Sequence, residues 1–126
     1  MNVLIVEDDV SLTSVYKSMF RDKMFNLRFA INGIDGLEKI EEETPDVVLL
    51  DILMPKMNGI AMLKKIRKDK ILKDLPVIIT TNLDSRNTEE EVRKLGISSF
   101  FVKASTSSHD IVDAVKKFAY GRLQEN

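Results

Sequence analysis

Cysteine is absent from the 126-residue chain, which excludes a disulfide framework, a thiolate metal site and a cysteine nucleophile. A basic excess is absent too: nineteen Lys and Arg stand against twenty Asp and Glu, for a net charge of −1. Direct nucleic-acid binding needs a basic face, so none is expected. No apolar run is long enough to cross a bilayer. The opening Met1-Asn2-Val3-Leu4-Ile5-Val6-Glu7-Asp8-Asp9 is apolar for four residues and then acidic. A secretory leader has a basic start and a longer apolar stretch, so a cytoplasmic protein without membrane contact is expected. Internal repeats, low-complexity segments and linker compositions are also missing, and residues 1–126 read as one domain with no output domain after the last helix. What is present is 44% apolar and 31% charged residues, ordinary for a globular chain long enough to bury a core.

The densest signal is Pro45-Asp46-Val47-Val48-Leu49-Leu50-Asp51. Four consecutive apolar residues, two of them β-branched and bounded by turn formers, predict a strand buried on both faces. Asp51 follows at its end, and open α/β sheets bind ligands beyond the carboxyl ends of their strands. Pro55 and Gly59 then impose a turn before the next helix. Residues 3–6, 26–31, 77–81 and 99–103 predict four more strands. Between them apolar residues recur at threes and fours, the period of an amphipathic helix. The first helix is expected over residues 10–22, on Leu12, Val15, Tyr16, Met19 and Phe20. The second rests on Ile34, Leu37 and Ile40 and stops at Glu41-Glu42-Glu43 and Pro45. The third rests on Ile60, Leu63, Lys64 and Ile66. Thr88-Glu89-Glu90-Glu91 matches a capping box, so the fourth begins between Ser85 and Thr88, with Gly96 as its C-cap. Ile111, Val115 and Phe118 carry the fifth, capped by Ser107 or Ser108, with residues 121–126 as a frayed end. Met19 and Met62 read as packing, and Tyr120 as facing outward. Five alternations of strand and helix imply a parallel sheet with right-handed crossovers and helices on both faces.

The ends of strands one, three, four and five then carry Glu7-Asp8-Asp9, Asp51, Thr81 and Lys103. Singly, each has an ordinary role: acids at a helix N-terminus, a capping Asp, a solvated Thr or Lys. Gathered at one edge of one sheet, they describe a site. Clustered carboxylates raise one another's pKa unless a cation neutralises them, and hard oxygen ligands suit Mg²⁺, or Mn²⁺. A lysine opposite the metal and a hydroxyl beside it are what a trianionic phosphoryl group needs around it. The carboxylate between them is a competent nucleophile toward phosphorus.

With Leu4-Ile5-Val6-Glu7-Asp8-Asp9, Asp51-x-x-Met54-Pro55-x-Met57-x-Gly59, Thr81 and Lys103, the chain resembles a response-regulator receiver domain of two-component signalling, from Val3 to about Leu123. The resemblance implies a three-layer (βα)5 flavodoxin-like sandwich around a five-stranded parallel sheet. It implies Asp51 as the phosphoacceptor and a Mg²⁺ site made by Glu7, Asp8, Asp51 and the backbone carbonyl of Leu53, with Asp9 outside it. Thr81 and Lys103 would each meet a phosphoryl oxygen. The implied donor is a phosphohistidine on a sensor histidine kinase or phosphotransfer protein. The chain would be a phosphoacceptor that catalyses its own phosphorylation and dephosphorylation rather than an enzyme in the usual sense. Thr81 and Phe100 would form the switch; Phe100 lacks the hydroxyl of the more usual tyrosine and can only pack inward. The face of helix four, strand five and helix five is the implied surface for a downstream target or a phosphorylation-dependent dimer, and a fused output domain is the other implied partner. His109 does not sit in a four-helix bundle and reads as a solvated residue near a helix start.

Three positions depart from the family pattern. Ala104 follows Lys103 where the family has a cis-proline. A cis bond before another residue type costs about 2.5–4 kcal/mol, so a trans bond and a rearranged 104–108 loop are expected. Asn82 follows Thr81 in place of Ala or Gly, large enough to restrict access or to add a hydrogen bond. Leu53 and Leu83, two residues past Asp51 and Thr81, cannot orient an attacking water, so a slowly lost phosphoryl group is expected. Three other readings compete. A haloacid-dehalogenase-type hydrolase would want a second Asp where Leu53 stands. A flavodoxin-like FMN binder would want a hydroxyl- and glycine-rich loop where three carboxylates stand. A degenerate receiver would serve as a phosphorylation-independent binding module, against which stands the intact Asp8, Asp51, Thr81 and Lys103 set.

Overall fold

Strand alternation dictates the architecture. In β1 (Asn2–Val6) the side chains of Val3 and Ile5 point to one face and those of Leu4 and Val6 to the other, and all four are buried. The same holds for β3 (Val47–Leu50), where Val47 and Leu49 oppose Val48 and Leu50. Strands apolar on both sides need cover on both sides. The computed structural model, which describes residues 1–124, supplies it. β2 (Asn26–Ala30), β4 (Val77–Thr81) and β5 (Ser99–Val102) complete one parallel sheet in the order β2-β1-β3-β4-β5. One face packs under α1 (Thr13–Met19) and α5 (Ser108–Gln124), around Ile5, Tyr16, Leu49, Ile78 and Val115. The other packs under α2 (Gly33–Glu42), α3 (Gly59–Lys68) and α4 (Arg86–Leu95), around Leu4, Leu50, Met62, Ile66 and Val92. This is the expected flavodoxin-like three-layer sandwich. The register aligns Val6 with Leu50 and Thr81 with Val102, so the carboxyl ends of β1, β3, β4 and β5 share one edge.

Some local expectations hold and others need correction. The first helix starts at Thr13, preceded by a 3₁₀ turn over Val10–Leu12 that Asp9 caps. It ends at Met19 rather than residue 22, because Phe20 leaves helical geometry at φ −108° and ψ 39° and Asp22 turns the chain by accepting from the Met24 N–H. Val15 and Ile34 are exposed rather than core. β2 stops at Ala30, one residue short. The N-cap of α4 is Ser85, whose hydroxyl accepts from the Thr88 N–H; Thr88 lies inside the helix and caps nothing. Gly96 is its C-cap, with φ +99° and its N–H shared between Val92 and Arg93 carbonyls. β5 ends at Val102, and Lys103 opens a 3₁₀ turn through Ser105. Ser107 caps α5 through the Asp110 N–H. The helix runs on to Gln124, so residues 121–124 are not a frayed end; the remainder of that tail lies outside the described residues. Tyr120 faces outward as expected, and His109 is exposed beside Asp113.

Candidate functional site

Each site residue is placed by the backbone beside it. Glu7 follows β1, its N–H donating to the Ala30 carbonyl at 2.9 Å, and Asp51 follows β3, its N–H donating to the Val6 carbonyl at 3.1 Å. These bonds extend the sheet ladder by one residue and set two carboxylates side by side, 8% and 6% exposed. Asp8 lies outward of them. One carboxylate oxygen from each of Glu7, Asp8 and Asp51 lies within 4.8 Å of the other two. Lys103 enters from the end of β5 and ion-pairs with Glu7; its Nζ also lies 3.4 Å from Asp51 Oδ2. The other Asp51 oxygen accepts from the Leu53 N–H at 3.3 Å. Asp8, Asp9, Leu12, Leu53 and Asn82 join these three groups in lining a cleft of about 270 Å³.

The electrostatics follow from burial. Loss of hydration pushes the Glu7 carboxyl up to about 7, the Asp51 charge pushes the same way, and Lys103 offsets part of the rise. Burial pulls Lys103 down, but Glu7 and Asp51 outweigh it and hold the ammonium above its ordinary range. One cation thus faces two buried carboxylates and an exposed third. Three hard oxygen donors of this spacing suit a divalent cation, and the residues fit one.

Thr81 is fully buried at the end of β4, its hydroxyl oxygen accepting from the Leu83 N–H at 3.1 Å. Its own proton remains available to a ligand. Phe100 is half-buried against the α2–α4 core. The turn after Lys103 contains no cis peptide. It is held instead by the Thr106 hydroxyl donating to the Val102 carbonyl at 2.7 Å. Asp9 spends its carboxylate on the Ser11 N–H and hydroxyl, which keeps its pKa low. Leu53, 53% exposed, and Leu83 line an adjoining apolar groove with Met54, Pro55 and Ile60. Sequence reasoning missed Leu12 as a cleft residue; its helical spacing signals only a core position. It also missed Tyr16, which lines a small pocket beside Lys103, and Thr80: burial raises the Tyr16 phenol, and the Thr80 hydroxyl acts in the opposite direction. A polar residue at a core spacing was the available signal.

Comparison with known proteins agrees with this geometry. The profile of the response regulator receiver domain matches residues 3–116. The chemotaxis protein CheY-3 of Vibrio cholerae is 35% identical over 109 residues, 86% of this chain and 84% of that protein. The transcriptional regulatory protein ZraR of Klebsiella oxytoca is 31% identical over 126 residues, all of this chain and 28% of that protein. The chain therefore spans about a quarter of the length of that regulator. Among solved structures, a CheY-like receiver domain protein from Methanospirillum hungatei superposes with a TM-score of 0.88 at 24% identity, over 99% of this chain and 98% of that one. The Mn²⁺-bound form of the response regulator Rcp1 has a TM-score of 0.81 at 19% identity, covering 93% and 92%.

Proposed function

The chain belongs to the response regulator receiver domain family, and from that premise we propose that Asp51 accepts a phosphoryl group from a phosphohistidine on a kinase or phosphotransfer protein. The observation that carries the proposal is the shared ammonium: Lys103 pairs with Glu7 and reaches Asp51 across the cleft. In the transfer, an Asp51 carboxylate oxygen attacks phosphorus in line. The P–N bond breaks with its electron pair left on the imidazole, whose other nitrogen carries the proton. Glu7, Asp8, Asp51 and the Leu53 carbonyl would hold Mg²⁺, or Mn²⁺. The ion supplies charge neutralisation for the crowded carboxylates and the phosphoryl oxygens. Lys103 pairs with one phosphoryl oxygen and the Thr81 hydroxyl donates to another. Phe100 packs inward as Thr81 is drawn to the phosphoryl group, biasing a two-state equilibrium. The readout is a protein target or an output domain. The chain promotes its own phosphorylation and, slowly, its loss; the Leu53 and Leu83 side chains offer no polar atom to orient water, so the phosphoryl group persists. Among the described residues no helix is long and apolar enough to cross a membrane.

Labelling by a small acyl phosphate tests this. Label is expected with Mg²⁺, absent with chelator and absent in Asp51→Asn, and it should decay slowly in the purified protein. Labelling of Asp51→Asn at the native rate would overturn the assignment and favour a phosphorylation-independent module.

A further inference from the structure

Among the described residues Lys103 is the only cation lining the acidic cleft, and the turn that carries it has few anchors. β5 is an edge strand, paired with β4 alone, and its last register pair joins Thr81 to Val102. The chain then runs Lys103-Ala104-Ser105-Thr106, with no proline to stiffen the backbone. Ala104 and Ser105 are exposed, and so are Ser107 and Ser108. Thr106 lies between them half-buried. With Lys103, Leu12, Tyr16 and Ile111 it lines a pocket of about 160 Å³ that has no role in the chemistry above.

The Thr106 hydroxyl donates to the Val102 carbonyl at 2.7 Å, an ordinary length for an O–H donor. The Ser105 hydroxyl approaches the same carbonyl only to 3.4 Å, outside that range. The Val102 carbonyl shares its peptide plane with the Lys103 N–H, so a bond to it also fixes where Lys103 begins. The site demands such a fix. The carboxylates of Glu7 and Asp51 are set by the sheet ladder, whereas Lys103 opens a turn outside it. Its Nζ, at the end of a flexible four-carbon stem, must pair with Glu7 and lie 3.4 Å from Asp51 Oδ2. Threonine suits the anchoring position. Its backbone there is extended, at φ −120° and ψ 134°, and its branched Cβ restricts the hydroxyl to few rotamers.

We propose that Thr106 is a positioning residue for phosphoryl transfer: its hydroxyl anchors the peptide that precedes Lys103 and so holds the Lys103 ammonium between Glu7 and Asp51. Thr106 does not line the acidic cleft and acts through Lys103. Its consequence for transfer rests on the Asp51 reading given above; its hold on Lys103 does not.

Lysine reactivity tests the hold without any phosphodonor. Under brief reductive methylation, read lysine by lysine from peptide masses, native Lys103 is expected to react slowly, because its side chain is 16% exposed and ion-paired. Thr106→Val keeps the shape and removes the hydroxyl, and is expected to speed modification of Lys103 severalfold. Thr106→Ser keeps the hydroxyl and is expected to return the native rate. Lys39, paired with Asp35 on α2, is expected to react alike in all three proteins, which separates a local release from general unfolding. With Mg²⁺ and a small acyl phosphate, Thr106→Val is expected to take label roughly threefold to tenfold more slowly, and Thr106→Ser at the native rate. An unchanged Lys103 rate in Thr106→Val, or Thr106→Ser as reactive as Thr106→Val, would overturn the proposal. Acceleration of Lys39 along with Lys103 would overturn it too, leaving Thr106 a role in folding alone, as would native labelling of Thr106→Val. A native chain that takes no label would instead overturn the Asp51 reading, and the Lys103 rates would still decide whether Thr106 holds the lysine.

Discussion

At the mouth of the sheet Lys103 divides its ammonium between two buried carboxylates, and neither is fully satisfied by it. Glu7 is held near 7 by burial and by the neighbouring Asp51 charge, while Asp51 takes a longer contact with the same Nζ. A site in this condition favours ligands that bring both positive and negative charge, as a cation and a phosphoryl group do together. A different carboxylate serves stability alone. Asp35 accepts from the Ile31 N–H and from Lys39 Nζ at the start of α2. Burial pushes its pKa up, but Lys39 and the Ile31 amide outweigh that and hold it below the ordinary 3.8. A depressed folded-state pKa contributes stability above the unfolded value and loses it as pH falls through the folded one. Asp35→Asn should therefore cost roughly 1 kcal/mol at neutral pH. In urea titrations the gap from the native chain should close below about pH 4; a gap of constant size would contradict the ionic origin.

Among the elements, the link from β3 to α3 is the most constrained. The Gly59 N–H donates to the Ile52 carbonyl at 3.0 Å, and Asn58 caps α3 through the Ala61 N–H. A Cβ on Gly59 would land on the Asp51 carbonyl and 2.9 Å from Ile52 Cα. Both are backbone atoms, so no side chain can yield. The first turn of α3 and the end of β3 are thus in contact, and Asp51 is aimed by that contact. Gly59→Ala is expected to cost about 1–3 kcal/mol and to slow labelling of Asp51 as well. Urea denaturation and the labelling rate, measured together, check this; native values for both would refute the contact as a constraint. Lys56, with φ +64°, sits in the same link, which further marks it as a backbone under constraint.

On the scale of the whole molecule, one sheet joins two cores, and each central strand contributes to both. Leu49 is buried on the α1 and α5 side and Leu50 on the other. Loss of either layer exposes the strands that the other layer needs. Leu49→Ala and Leu50→Ala should each cost about 2–5 kcal/mol. Each should also shift one shared unfolding transition; separate transitions by calorimetry would show that the layers are independent. The division between what residue order established and what packing decided follows from the range of the interactions. Strand and helix alternation, the doubly buried strands and the strand-end positions of Glu7, Asp51 and Thr81 were legible, because apolar periodicity is local and strands of a parallel sheet end on a common edge. The end of α1 at Met19, the Ser85 cap and the entry of Lys103 from a 3₁₀ turn were not. Those depend on which of several adequate local partners the packed chain leaves within reach. The pairing of Lys103 with Glu7, 96 residues apart, exists only once the sheet has brought distant segments together.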